Sequence, residues 1–375
     1  MVSAAPWHKP IAMFHVRVDN TAVDRVAAVL RSGYIGEGPA VKELEQGFRA
    51  VSGTPWNLAV NSGTSALHLA LILAGVGSGD EVITTAQTMM ATSHSIMMQG
   101  AKPVFADIQP ETGNLDPADV ERRVTPRSKA ILPVHWAGLP CDMDEIHAVG
   151  RRHGLAVIED AAHAIGASYK GQPIGSLSNA TCFSLQAIKH VTSGDGGMLT
   201  LTHEADRDEG ARLRWFGIDR DRRKETLLGE AEWLVTRLGY KYQMNDIAAS
   251  VGLANLPGLG ASLSRRRAIA ARYRAGLSAV PGISLLRADQ DRESAHWIYT
   301  LLVERRDDCV RHLRGKNIHP SVVHLRIDRH PLYGGLRADL AGLDWFTDRH
   351  LSLPIHDALT DDEVEFVIEA LREGW

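Results

Sequence analysis

Cysteine is scarce: Cys141, Cys182 and Cys309 are the only three in 375 residues. They have neither metal-ligand spacing nor the pattern of a disulfide framework, which excludes a disulfide-stapled scaffold and suits a reducing cytosol. Long basic runs are missing and the net charge is −4, so no nucleic-acid footprint is written into the chain. The short Arg265-Arg266-Arg267 run reads as helical surface. The opening MVSAAPWHKPIAMF lacks the apolar core of a signal peptide, and no apolar run looks long enough to cross a bilayer, so no membrane partner is expected. Internal repeats and low-complexity tracts are absent as well. What remains is 44% hydrophobic and 23% charged, ordinary for a globular protein. The length suits a large domain, expected over 1–255, and a smaller one over 256–375.

Short apolar runs near residues 58, 82, 104, 132, 156, 183 and 199 alternate with amphipathic stretches. That alternation predicts an α/β fold: a mixed, mostly parallel sheet of about seven strands, followed by a small α+β C-terminal domain. Before the sheet, residues 1–13 read as an irregular arm, and a helix is expected from Thr21 to Arg31, capped by Asn20. After it, candidate strands fall at Ile283–Leu286, Trp297–Val303 and Ser321–Leu325. Residues 203–235 read as charged and helical, and Asn245 or Asp246 as the cap of a helix running to about 256.

The stretch 155–198 carries the chemistry. Leu155-Ala156-Val157-Ile158 is a buried parallel strand that ends in Glu159 and Asp160, at the edge where open α/β sheets place ligands. A second strand at 181–185 leads to a lone Lys189 and the turn Gly194-Asp195-Gly196-Gly197. A carboxylate and a later lysine are the minimum that pyridoxal 5′-phosphate (PLP) needs: the lysine amine forms a Schiff base, and Asp160 keeps the pyridine nitrogen protonated. Upstream, a strand at 58–60 turns through Asn61-Ser62-Gly63-Thr64-Ser65 into a helix. Free N–H groups, hydroxyls and the helix dipole make this turn an anion site, assigned to the PLP phosphate with Gly63, Thr64 and Ser65 around it. Simple helix capping by Ser62 or Thr64 is the competing reading. His163 is placed near the ring, Ser184 near the phosphate, and His135 is more readily explained by loop backbone than by a ligand.

The motifs NSGTSALHLAL (61–71), EDAAHAIGA (159–167), FSLQAIKHVTSGDGG (183–197), GYKYQMNDI (239–247) and LSLP (351–354) occur together, in an order that resembles the DegT/DnrJ/EryC1/StrS sugar aminotransferases. These are fold-type-I PLP enzymes. The resemblance implies a cytoplasmic homodimer with shared active sites. It further implies that Lys241 crosses to the neighbouring phosphate, where many relatives have Asn, and that Met89 covers the cofactor ring where relatives have an aromatic. His324 matches a sugar-contacting histidine, and Tyr34 lies in a loop that borders the substrate cavity. The substrate is expected to be a nucleotide-linked keto-sugar, a 4-keto-6-deoxyhexose before a 3-keto one, with L-glutamate or L-glutamine as donor. Arg220, Arg326 and Arg329 are candidates for its diphosphate. A keto-cyclitol would need no such cations. The family's usual second histidine, in a Pro-Leu-His run, is absent. Relatives with His in place of the lysine run dehydrations, which Lys189 argues against. A non-catalytic PLP-fold module is the alternative of another class.

Overall fold

The computed structural model describes residues 7–219, 224–233 and 235–375. Its centre is a seven-stranded sheet. The strands are β1 (Trp56–Val60), β2 (Glu81–Thr85), β3 (Lys102–Ala106), β4 (Ser128–Leu132), β5 (Ala156–Asp160), β6 (Ala180–Ser184) and β7 (Gly197–Leu201). In space they run β1-β7-β6-β5-β4-β2-β3. Every neighbouring pair is parallel except the two that involve β7, which is antiparallel to both β1 and β6. β2, β6 and β7 are buried along their whole length, covered on both faces, with Glu81, Thr84 and Thr181 among the buried polar side chains.

One apolar layer packs on each face of the sheet. On one side lie Ile83, Ile131, Val157 and Phe183 with Leu44 of α2 (Pro39–Gly47) and Phe48 just past its end. On the other lie Val82, Leu132, Ile158 and Leu199 with α3 (Gly63–Leu73), which is buried from Ser65 to Ile72. A helix apolar all round belongs in an interior. Further on come α4 (Met90–Met98), α5 (Asp246–Asn255) and α6 (Leu259–Leu277). Asn245 caps α5, accepting from the Ala248 N–H at 2.8 Å. The first helix, α1 at Thr21–Ser32, is capped differently from expectation. Asn20 is already helical, and Asp19 accepts from the Thr21 N–H instead.

A second core surrounds three antiparallel strands, Ile283–Leu285, Tyr299–Val303 and His350–Leu353, backed by α6 and the terminal helix Asp361–Arg372. The arm joins this core: Ile11 is 1% exposed and bridges Ile318. The expected strand at 321–325 does not form. Ser321 makes one paired contact with Ser352, and the chain then leaves the sheet, because the Gln87 side chain donates to His324 O and Ile327 N–H to Ala86 O. Among the described residues of the 203–235 stretch, Glu204–Leu213 is the helical part; residues 224–225 and 231–232 pair as a short ribbon. Arg266 is not surface: it is buried, donating to the carbonyls of His296, Trp297 and Ile355. The helical stretch Asp246–Leu277 is apolar enough over one window to pass for a membrane span, contrary to the sequence expectation. It packs against both cores here, and half of that window is buried.

Candidate active site

Asp160 ends β5 and is 5% exposed. Its Oδ2 accepts from the Thr92 hydroxyl at 2.8 Å and its Oδ1 from the Ala162 N–H at 3.1 Å. The Thr92 hydroxyl is committed to Asp160, so the Thr88 hydroxyl, 2.7 Å away, donates into Thr92. Both threonines are buried at the start of α4. Burial pushes the Asp160 carboxyl above its ordinary value, against those two hydrogen bonds and the charge of Lys189. A cation brought to this carboxyl would favour its charged form.

Lys189 follows β6 in the irregular connection to β7. Leu185 and Gly196 close that connection through the Leu185 N–H, and Ser193 N–H returns to Leu185 O. Burial lowers the Lys189 amine to about 7, with Asp160 opposing. That shift favours the free, nucleophilic amine. Its Nζ lies 3.5 Å from the centroid of the Trp297 ring. Trp297, which sequence reasoning did not single out, is 1% exposed and stacks on His163 at 3.9 Å. His324 stands 6.0 Å from His163 and 6.2 Å from Trp297. Burial keeps His163 well below the ordinary imidazole value and brings His324 to about 4, so both are neutral at pH 7. His163 Nδ1 is buried with no hydrogen-bond partner.

The anion turn is built where β1 and β7 meet α3. Ser62 caps the helix, accepting from the Ser65 N–H at 3.1 Å, and Ser65 Oγ donates to Asn61 Oδ1 at 2.6 Å. Capping and phosphate binding are therefore compatible rather than rival: Ser62 is used for the cap, while the first-turn N–H groups of Gly63 and Thr64 remain directed outward. A Cβ on Gly63 would stand 3.1 Å from Ser184 Cβ, and one on Gly197 would stand 2.4 Å from Ser62 O. The cradle thus depends on bare backbone, with Ser184 as its floor. A cradle that a side chain would fill, an amine held near 7, a buried carboxyl and an orphaned imidazole nitrogen fit PLP.

The other candidates are spread more widely. Met89 is the N-cap of α4 and half exposed, its Sδ accepting from the Ala91 N–H. Lys241 is exposed and lies 3.4 Å over the ring of Trp215 in its own chain. Tyr34 lines a groove of about 1250 Å³ with Glu37, Arg214 and Asp246; neither Lys189 nor Asp160 borders it. Arg326 is buried in a forked ion pair with Asp328, both contacts at 2.6 Å, and also pairs with Asp344. That places it in the frame of the loop rather than as an open cation. Arg329 is exposed. Arg220 lies outside the described residues. His135 is satisfied within the fold: Cys141 N–H donates to its Nδ1, so Nε2–H faces Glu159 at 2.8 Å.

Comparison with known proteins gives the family and the overall shape. Residues 16–372 match the model of the DegT/DnrJ/EryC1/StrS aminotransferase family. Spore coat polysaccharide biosynthesis protein SpsC of Bacillus subtilis is 39% identical over 363 residues, 94% of this chain and 93% of that protein. AtS13 from Actinomadura melliaura superimposes with a TM-score of 0.92 at 40% identity, covering 98% of this chain and 99% of its own. The sugar aminotransferase CalS13 from Micromonospora echinospora gives 0.93 at 35%, over 97% and 100%. Solved structures of this shape include Spr1654 of Streptococcus pneumoniae in PLP and PMP forms and DesI in the presence of its TDP-sugar product.

Proposed function

The chain belongs to the DegT/DnrJ/EryC1/StrS aminotransferase family of PLP-dependent transaminases, and from that premise we propose that it moves an amino group from L-glutamate or L-glutamine to a nucleotide-linked 4-keto-6-deoxyhexose. The observation that carries this reading is the convergence of Lys189, Asp160 and the Gly63 cradle at one edge of the sheet. Lys189 would hold PLP covalently, with Asp160 at its ring nitrogen and Gly63, Thr64, Ser65 and Ser184 at its phosphate. Bound there, PLP supplies an electron sink for the carbanion next to the amine. Freed when the donor amine takes its place, the Lys189 Nζ would take the proton from the donor Cα and hold it for return to the other end of the transfer. The donor leaves as a keto acid. The same groups act in reverse order on the keto-sugar, which leaves as an amino sugar. His163, neutral and stacked on Trp297, would sit near the ring and tune it.

The sugar reading is supported by the sugar aminotransferases of the same shape and by DesI with its TDP-sugar product. His324 would contact the sugar, and Met89 would cover the cofactor ring. With Arg326 paired inside its loop, Arg329 and Arg220 are the cations left for a diphosphate. We further propose a homodimer in which Lys241 reaches the partner's phosphate site, and a boundary between the two domains at 255–256.

The experiment is an absorption spectrum of the PLP-loaded protein with each donor, then with keto substrates. Conversion to the pyridoxamine form by glutamate or glutamine, reversed by a dTDP-4-keto-6-deoxyhexose, is the expected result. Reversal by a keto-cyclitol or a 3-keto sugar alone would replace the substrate. A spectrum unmoved by either donor would point to a binding module.

A further inference from the structure

Trp297 makes more fixed contacts than a filler of the core requires. Its backbone N–H donates to Ala137 O at 2.9 Å, and its carbonyl accepts from Arg266 Nη1 at 3.2 Å. Its Nε1–H donates to Ile188 O at 3.0 Å, one residue before the lysine. The ring stacks on His163 at 3.9 Å and on Phe14 of the N-terminal arm at 5.5 Å. The residues on both sides of the Ala137 contact sit in left-handed backbone: His296 at φ 47° and Ala137 at φ 58°. Strain of that kind persists only where the surroundings over-determine it. The product of all this is an indole face held 3.5 Å from Lys189 Nζ.

An amine in this cleft has few partners. Among the described residues Asp160 is the one acid that acts on it, and the charge of Lys189 in turn disfavours protonation of His163, His190 and His324. Each of those histidines is held neutral by burial. When Asp160 is engaged by a ring nitrogen, a lysine that has just collected a proton has the Trp297 face to rest on. Tryptophan is the best of the aromatic rings at this, and a desolvated contact is the strong case.

We propose, building on the reading of Lys189 as the PLP lysine, that Trp297 is a positioning residue which docks the Lys189 ammonium between its two proton transfers. The docking keeps Nζ beside the reacting carbons instead of letting the long side chain swing into the open cleft. It also makes Trp297 the link from the second core to the lysine, because the strand Tyr299–Val303 begins two residues later.

The test compares cofactor-free wild type, W297F and W297L. Each is incubated with PLP from pH 5.5 to 9, reduced with borohydride, and the label on Lys189 is counted by peptide mass spectrometry. The rate follows the free amine, so its midpoint reports the Lys189 equilibrium without turnover. Wild type should show a midpoint near 7. W297L should move it down by about one pH unit, a tenfold change, and W297F by roughly half as much, since phenylalanine is the weaker ring. Capture at pH 6 then becomes faster in both variants, whereas a merely structural role would slow it at every pH. In the loaded enzyme, conversion to the pyridoxamine form by glutamate should slow by about tenfold in W297L, with PLP affinity retained. Should W297L fail to fold, the W297F midpoint decides. A midpoint equal to wild type in W297F, or unmoved in a folded W297L, overturns the proposal. If wild type takes no label at Lys189, the reading of the lysine fails first, and this proposal with it.

Discussion

Replacing Lys189 by methionine should make the cofactor-free protein more stable, by an amount that depends on pH in a defined way. The amine is lowered from 10.5 to about 7 by burial. Below pH 7 the lysine is charged in both folded and unfolded chains, and the cost of holding that charge in the fold is fully present. Between about 7 and 10.5 the unfolded chain binds more protons than the folded one, so wild-type stability rises with pH. Above that window the amine is neutral in both states and the cost is gone. A difference of about 3.5 units corresponds to roughly 5 kcal/mol at 1.36 kcal/mol per unit. Lys189 still opens partly onto the cleft, and solvent there trims the figure to about 2–4 kcal/mol. Met has similar length and no charge to desolvate. Urea midpoints of cofactor-free wild type and K189M at pH 6.5, 8 and 9.5 are the assay. K189M should be ahead by about 2–4 kcal/mol at pH 6.5, with a lead that shrinks at each step. A lead that does not change with pH, or a less stable K189M at pH 6.5, would show that the amine is not held in a charge-averse place.

T92V removes the hydroxyl that holds Asp160 Oδ2; turnover should fall about tenfold with PLP retained, and T92S should recover most of it, since one such hydrogen bond to a charged group contributes about 1.5 kcal/mol or more. D160N should keep PLP and lose a hundredfold or more in turnover, read as a slowed conversion to the pyridoxamine form; an unchanged rate would mean Asp160 does not face the ring nitrogen. G63A puts a Cβ against Ser184, so PLP affinity in equilibrium titration should weaken by roughly tenfold while the melting temperature holds, helix starts tolerating alanine well. R326M leaves Asp328, fully buried, without its cation, which should cost about 3–5 kcal/mol in denaturant unfolding with little change in KM for the sugar. A raised KM at unchanged stability would restore Arg326 as a substrate contact.

The sheet was legible because its signals are local. Each strand is one short apolar run, and the Gly/Ser/Thr turn at 61–65 announces a helix start by its residue types. Asp160 and Lys189 were legible for the same reason, one at a strand end and the other on a glycine-marked loop. What escaped is long-range. Thr92 lies 68 residues from the carboxylate it serves, and Trp297 reads as the first residue of an ordinary strand. Nothing in the sequence says that its indole folds back to the main chain at Ile188, 109 residues away. The strand expected at 321–325 failed on the same ground, since its hydrogen bonds are claimed by residues 86–87. Arg266 and Arg326 were misread as available charge because burial of an arginine depends on distant carbonyls and carboxylates.

The reversal of β7 has a kinetic consequence. Its pairing with β1 joins Val60 to Gly197, and the same approach sets Gly197 against Ser62 in the cradle. Contacts that span so much chain form slowly, because a long loop must close before they reward it. During refolding, helices and local turns should therefore be in place well before the molecule can capture PLP. The return of cofactor absorbance would act as a clock for the last long-range closure of the sheet, separable in time from the return of helical signal.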